Sequence, residues 1–143
     1  MHAFMGEGTG RVLKLLLQRG EKLLESIEQE LIKQGITDAV VVSGIGTLDR
    51  LVYHRVTSLD PSPKEEFITI DSPLELCSVQ GLVAAGKPHL HLVASDDAGT
   101  YAGHLEPGCT VLYLAEIVLL ETRGEKLKRV RDENKLMQLA QKA

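Results

Sequence analysis

The stretch HLHLVASDDAGTYAGHL, residues 89–105, decides the fold. Its first part, residues 89–95, begins with histidine and leucine in alternation, as polar and apolar side chains alternate in a β-strand with one buried face. The residues DDAG that follow, 96–99, are typical of a turn. The stretch therefore predicts two antiparallel strands joined by a tight turn, with the second strand returning beside the first.

Three of the five histidines, His89, His91 and His104, lie in this stretch. Side chains alternate across a strand, so His89 and His91 point to one face with Cα atoms about 6.6 Å apart, while Leu90 and Leu92 face the core. Two imidazoles at that spacing can bind one ion at Zn–N distances of about 2.0–2.1 Å. A symmetrical turn places His104 opposite His91, and Glu106 opposite His89. The pattern then predicts a three-histidine metal site with room for water or a substrate.

Two alternatives remain open for this pattern. A three-residue loop with a bulge at Gly99 would shift the pairing by one residue and move His104 to the other face, unless Gly103 adds a compensating bulge. The histidines could also be ordinary polar residues of a solvent-facing sheet, held by hydrogen bonds. Spacing alone does not separate the metal site from these readings.

Outward from this stretch, the chain predicts one clear helix and several strands. Residues 21–34 carry apolar side chains at helical spacing, and Gly35 suits the left-handed position at a helix C-terminus. The apolar stripe consists of Leu23, Leu24, Ile27 and Leu31. We predict further strands at 11–18, 39–42, 47–56, 67–70, 74–84 and 110–121, with a tight turn at 43–46. Many strands, one helix and short connections predict an α+β fold with a mostly antiparallel, sandwich-like sheet.

Length and composition limit the class of protein. The chain has 143 residues, which suits a single domain, and a net charge of -4, which argues against a surface built to bind DNA throughout. A local basic patch remains compatible with these numbers. No apolar run reaches about 18 residues and the N-terminus shows no secretion signal, so we expect no membrane span and a cytoplasmic protein.

A few other residues could take part in chemistry. Glu75 shares a strand face with Cys77 and is a candidate acid or base that orients a metal-bound water, although an edge or interface role is the alternative. Glu116 interrupts an apolar strand and needs a partner if it is buried. We interpret Cys77 and Cys109 as small buried residues. We expect His2 and His54 to lie on the surface. The SGIG segment at 43–46 is not followed by the helix that a phosphate loop requires, so we interpret it as a tight turn.

Five segments together resemble the PPC domain, named for its conservation in plants and prokaryotes. They are RGE at 19–21, SGIGTL at 43–48, LELCSVQG at 74–81, the HLH strand at 89–91, and GHL at 103–105 ahead of Gly108. The resemblance runs in order from about residue 10 to residue 121. We therefore expect a PPC domain over 9–123 and a C-terminal tail, 124–143, that packs on it through Leu136 and Leu139.

The resemblance implies an α/β sandwich-like domain that usually assembles as a homotrimer. In plants the domain accompanies AT-hooks and mediates self-association and contacts with transcription factors. Prokaryotic members stand alone and are commonly labelled predicted DNA-binding proteins. This chain has no Arg-Gly-Arg-Pro AT-hook. We expect DNA binding to be weak, within a DNA-associated or regulatory role.

The fold is also similar to that of acetolactate decarboxylase, which binds zinc through a His-x-His motif and a later third histidine. His89, His91 and His104 match that pattern, which implies Zn²⁺ or another divalent transition metal and a small-molecule ligand at the metal. The alternative function is thus a metal-dependent lyase or hydrolase that acts on a small keto or hydroxy acid, with Glu75 as acid or base. The sequence leaves open whether the chain is an enzyme.

The strand at 110–121 also bears on assembly. It is nearly apolar on both faces, whereas a strand in a two-layer monomer has one polar face. The single apolar stripe of the helix can cover only one of these faces. Either a second copy of the chain or the C-terminal tail must cover the other.

Overall fold

The computed structural model describes residues 1–142, which form eight strands and one helix. The elements are β1 (Gly8–Gln18), α1 (Leu23–Gln34), β2 (Ala39–Val56), β3 (Glu65–Ala84), β4 (Lys87–Ser95), β5 (Thr100–Leu105), β6 (Thr110–Arg123), β7 (Leu127–Arg131) and β8 (Met137–Gln141). Every strand pairing in this part of the chain is antiparallel. The predicted α+β fold with a mostly antiparallel sheet is confirmed.

Six strands form one sheet, and its last strand turns back on an inner one. The order is β1-β6-β2-β3-β4-β5, and β5 also pairs with β2. The pairs in that closure are Tyr53 with Leu105 and His54 with His104. Strands β2 to β5 thus close into a small barrel, and the closure brings two distant histidines side by side.

The tight turn predicted at 43–46 is wrong, because these residues lie inside β2. The register against β6 shifts between Val41 and Ser43, so an extra residue is absorbed as a bulge and the strand continues. A Cβ on Gly44 would lie 2.5 Å from the Cβ of Val79, so this glycine permits close packing of strands. The segments predicted at 67–70 and 74–84 are likewise one continuous strand, β3.

The helix packs as its spacing predicts. Leu23, Leu24, Ile27 and Leu31 are its buried residues, and they cover the core face of the sheet. Gly35 ends the helix with φ +65°, and its N–H donates to the carbonyl of Ile32 at 3.1 Å. The other face of the sheet, here called the outer face, is left without a helix.

The outer face is apolar over much of its width. One row of paired residues crosses five strands: Val12, Leu120, Val40, Leu82 and His89. Large apolar side chains that are at least 40% exposed on the strands of this sheet include Val12, Leu16, Val42, Ile45, Leu82 and Leu114. Because the row ends at His89, the predicted metal site continues directly from this apolar surface.

Strands β7 and β8 form a separate C-terminal hairpin. Leu127 is buried, and its N–H donates to Oδ1 of the buried Asp38 at 3.2 Å. Leu136, one of the two leucines expected to dock the tail, is 38% exposed. The buried contact of the tail is made by Leu127 instead. No helix in residues 1–142 is long and apolar enough to cross a membrane.

Candidate metal centre

The hairpin of β4 and β5 adopts the symmetrical register. His91 pairs with His104, and the intervening turn is closed by Asp96, whose Oδ1 accepts hydrogen bonds from the N–H groups of Ala98 and Gly99 at 2.9 and 3.1 Å. Leu90 and Leu92, at 1% and 2% exposure, face the core. His89 and His91 therefore lie with His104 on the outer face, and the bulged alternative is excluded.

The three imidazole rings lie close together. Their centroids are 5.4 Å apart for His89 and His91, 4.9 Å for His89 and His104, and 5.5 Å for His91 and His104. Such a near-equilateral set allows one nitrogen from each ring to converge on an ion. The Nδ1 atom of His104 is buried and makes no well-aligned hydrogen bond.

A fourth histidine, His54, joins this group, and the expectation that it lies alone on the surface is wrong. Its side chain is only 15% exposed. Its ring stacks on that of His104 with centroids 4.3 Å apart and planes 20° from parallel. The pairing of β5 with β2 produces this contact across fifty residues of sequence. No local pattern in the sequence could have revealed it.

Glu106 lies behind His104 and His54. Its Oε1 is 2.6 Å from Nδ1 of His54 and 3.1 Å from Nδ1 of His104, the latter contact being poorly aligned for a hydrogen bond. The carboxylate therefore lies against the Nδ1 atoms of both rings. A carboxylate in this position orients a metal-binding imidazole and raises its basicity.

His54, His104 and Glu106 form a second group of possible metal ligands. The donor atoms of His54, His104 and Glu106 all lie within 4.8 Å of one another. However, the 2.6 Å contact between His54 and Glu106 is a hydrogen bond, and it is shorter than the separation of about 3.4 Å between two ligand atoms of a tetrahedral zinc site. This geometry fits Glu106 and His54 as supporting residues and the three predicted histidines as ligands.

The electrostatics of the site favour neutral imidazoles. Burial, together with the positive charge of Arg129 and the neighbouring histidines, lowers the pKa of His89 to about 4. Burial also lowers the pKa of His104, together with the neighbouring His54, while Glu106 opposes the shift. Neutral imidazole is the form that binds a metal ion, so these rings are ready to bind without losing a proton.

An open cleft of about 470 Å³ lies beside His54, His89 and His104. The C-terminal hairpin forms one of its walls. The charged and polar residues lining it include His54, His89, His104, Glu65, Arg129 and Lys135. The cleft is large enough for a small molecule beside a metal ion.

The remaining candidate residues lie elsewhere. Glu75 is exposed and pairs with Ser95 at the far end of the β3–β4 ladder, whereas His91 pairs with Gln80. Glu75 lines a different cleft, of about 330 Å³, near Tyr113. The structure therefore does not bring Glu75 together with the histidines.

Solvent exposure decides two further predictions: that both cysteines are buried, and that Glu116 needs a partner if it is buried. Cys77 is exposed, so the interpretation of that cysteine is wrong, whereas Cys109 is buried as predicted. Burial raises the pKa of the Cys109 thiol to about 11, which makes it unreactive. Glu116 is exposed on the outer face between Leu16 and Ile45, and its charge is solvated in a single chain.

Comparison with known proteins agrees with this architecture. A Plants and Prokaryotes Conserved (PCC) domain model matches residues 5–123. A plant- and prokaryote-conserved protein from Pyrococcus horikoshii has a similar structure, with TM-score 0.80 and 30% identity over 96% of this chain and 95% of that one. A metal-containing protein from Archaeoglobus fulgidus gives 0.78 and 29%, over 94% and 95%.

The curated relatives are bifunctional GlmU proteins from two Synechococcus strains. The first is 30% identical over 126 residues, which is 87% of this chain and 19% of the relative. The chain thus spans about a fifth of the length of these relatives. The family-model match covers most of the chain and contains every histidine of the metal centre. The chain therefore belongs to the Plants and Prokaryotes Conserved domain family.

Proposed function

We propose that the protein is a homotrimeric PCC-domain protein in which His89, His91 and His104 hold one divalent ion, zinc. The observation that carries the proposal is the triangle of three rings, with centroids 4.9–5.5 Å apart. Three histidines with an open fourth position are a ligand set that zinc adopts in catalytic sites. The metal-containing relative from Archaeoglobus fulgidus supports the same reading.

Elemental analysis tests the metal assignment. Protein purified without chelator should contain about one zinc per chain. His91→Ala should abolish this content, because it removes one of the three proposed ligands, the one that pairs with His104 across the β4–β5 ladder. His2→Ala is the matched control, since His2 is exposed and outside the strands. Full occupancy in the His91 variant would overturn the assignment.

The outer face supports the homotrimer. A single chain leaves Val12, Leu16 and Ile45 between 49% and 61% exposed on one sheet surface. Exposed apolar side chains clustered on one face of a sheet mark an interaction site. A self-association that covers the outer face would also place the histidines near a subunit contact, because the apolar row ends at His89.

For the cellular role we propose DNA-associated regulation, which the family resemblance suggests, with weak intrinsic affinity for DNA. The net charge of -4 offers little general attraction for phosphates. A second candidate, a metal-dependent lyase or hydrolase of a small keto or hydroxy acid, is favoured by the cleft over the histidines. There the ion would polarise a carbonyl or activate water. The carboxylates near it are Glu65 and Glu106, so Glu75 is not the residue we assign to acid–base work.

A further inference from the structure

The C-terminal hairpin places an unpaired arginine against the metal centre. Arg129 of β7 lines the histidine cleft, and its Nε atom is buried without a hydrogen-bond partner. Its one hydrogen bond through Nη1 is a long contact of 3.4 Å to the carbonyl of Met137. A guanidinium carries five donors, so most of its capacity is unused.

The arginine is held there by an ordered element. Leu127, two residues earlier on β7, is buried and tied to Asp38 by its N–H. At the other end of the hairpin, Asp132 accepts hydrogen bonds from the N–H groups of Asn134 and Leu136, both at 2.9 Å. Both contacts fix the hairpin, so Arg129 is positioned before any ligand arrives.

The cations that line the cleft are not paired with its carboxylates. No ion pair within residues 1–142 includes Arg129. Glu106 is already engaged by His54 at 2.6 Å, and Glu65 lies 3.7 Å from the same ring. Lys135 adds a second cation at the rim. Once a divalent ion is bound, the cleft is strongly attractive to an anion.

We propose that the ion and Arg129 together bind a small carboxylate, with the carboxylate on the guanidinium and an adjacent hydroxyl or carbonyl oxygen on the ion. This rests on the proposed metal site. A planar guanidinium matches a carboxylate with two parallel hydrogen bonds. The volume of about 470 Å³ suits a small molecule, whereas nucleic acid would need a row of phosphate contacts.

The position of Arg129 also locates this specificity outside the conserved domain. The family match ends at residue 123, and Arg129 belongs to the hairpin that follows. The histidines thus come from the domain, while the carboxylate-binding group comes from the tail. Proteins with the same domain and a different tail would then bind different ligands at the same metal.

Calorimetric titration of the zinc-loaded full chain with glycolate tests the proposal. Arg129→Gln should weaken binding about 10- to 100-fold, since charge-assisted hydrogen bonds are lost. The affinity of Arg129→Lys for glycolate should lie between those of the wild type and Arg129→Gln, because lysine keeps the positive charge but lacks the planar guanidinium that makes two parallel hydrogen bonds. Arg131→Gln is the matched control: it lies on the same strand, is exposed and does not line the cleft. Uncharged glycolamide should bind the wild type poorly.

Each outcome has a separate meaning. Zinc content and thermal melting, measured first on every variant, show whether the metal and the fold are retained. A zinc-loaded, folded Arg129→Gln protein that binds glycolate as tightly as the wild type overturns the inference alone. So does a wild type that binds no glycolate, or one that prefers inorganic phosphate. A wild type that takes up no zinc at all overturns the metal site and this inference together.

Discussion

Replacing Gly81 with alanine should both destabilise the protein and disturb its metal site. Gly81 lies in β3 with φ +146°, a backbone conformation that side-chain-bearing residues rarely adopt. It pairs with Leu90, between the two proposed metal ligands of β4. A Cβ built at this position would overlap the carbonyl oxygen of His89 and lie 3.0 Å from Cα of Leu90. Both atoms are backbone, so no side chain can simply move aside.

The magnitude follows from these two effects. To make room, β3 and β4 must separate locally by about 1 Å, and overpacking of this kind costs about 1–3 kcal/mol. The unfavourable backbone conformation adds about 1–3 kcal/mol. Reduced entropy of the unfolded chain offsets about 0.4–1 kcal/mol of this. We expect a net loss of about 1–6 kcal/mol, a large part of the roughly 5–15 kcal/mol that stabilises a typical domain.

Urea unfolding of the metal-free protein, followed by circular dichroism at one fixed protomer concentration, measures this loss. Gly99→Ala is the matched control, because its Cβ would meet no atom within 4 Å although it lies in the adjacent β4–β5 turn. That control should change the free energy of unfolding by less than about 1 kcal/mol. The zinc content of Gly81→Ala should also fall, since His89 and His91 shift with β4. Equal stability of the two variants would refute the reasoning.

Four further predictions follow from the outer face, the metal centre and the overall charge. Light scattering should show a mass near three chains of 15.6 kDa. Leu16→Glu should shift this mass toward one chain, whereas the control Ile32→Glu, on the exposed side of the helix, should leave it unchanged. A wild-type monomer at micromolar concentration would contradict the trimer. Glu106→Gln should weaken zinc binding about 10- to 100-fold in a competition titration by removing the carboxylate beside His104; unchanged affinity would exclude that supporting role. The free energy of unfolding of the metal-free protein should fall between about pH 6.5 and 4, because the unfolded chain takes up a proton at His89 that the folded one resists. In urea unfolding measured at a series of pH values, His89→Gln should reduce the fall in the free energy of unfolding between about pH 6.5 and 4. The stability contributed by Glu121, whose pKa is lowered to about 2 mainly by its hydrogen bonds with Arg11, should be lost only below about pH 4.5. A gel shift at physiological salt should detect only weak, salt-sensitive DNA binding, and nanomolar affinity for one defined site would contradict this.

Part of the metal centre was predictable from sequence because strand parity is local. The alternation in residues 89–95 places His89 and His91 on one face, and the DDAG turn brings His104 opposite His91, as the register confirms. The helix was predictable for the same reason, since its apolar stripe needs only a spacing of 3.6 residues. Each of these features is set by residues close together in the chain.

The remaining features depend on contacts between distant segments. Residues 43–46 look like a turn, yet in the sheet a bulge and close packing against Val79 keep them in β2. His54 enters the site only because β5 pairs back with β2, and Arg129 only because the hairpin is anchored at Asp38. The sequence by itself therefore determined the α+β class, the helix and the three histidines that share a face. Tertiary structure alone decided what surrounds them, because the closure of the sheet and the docking of the hairpin bring together residues that no periodicity relates.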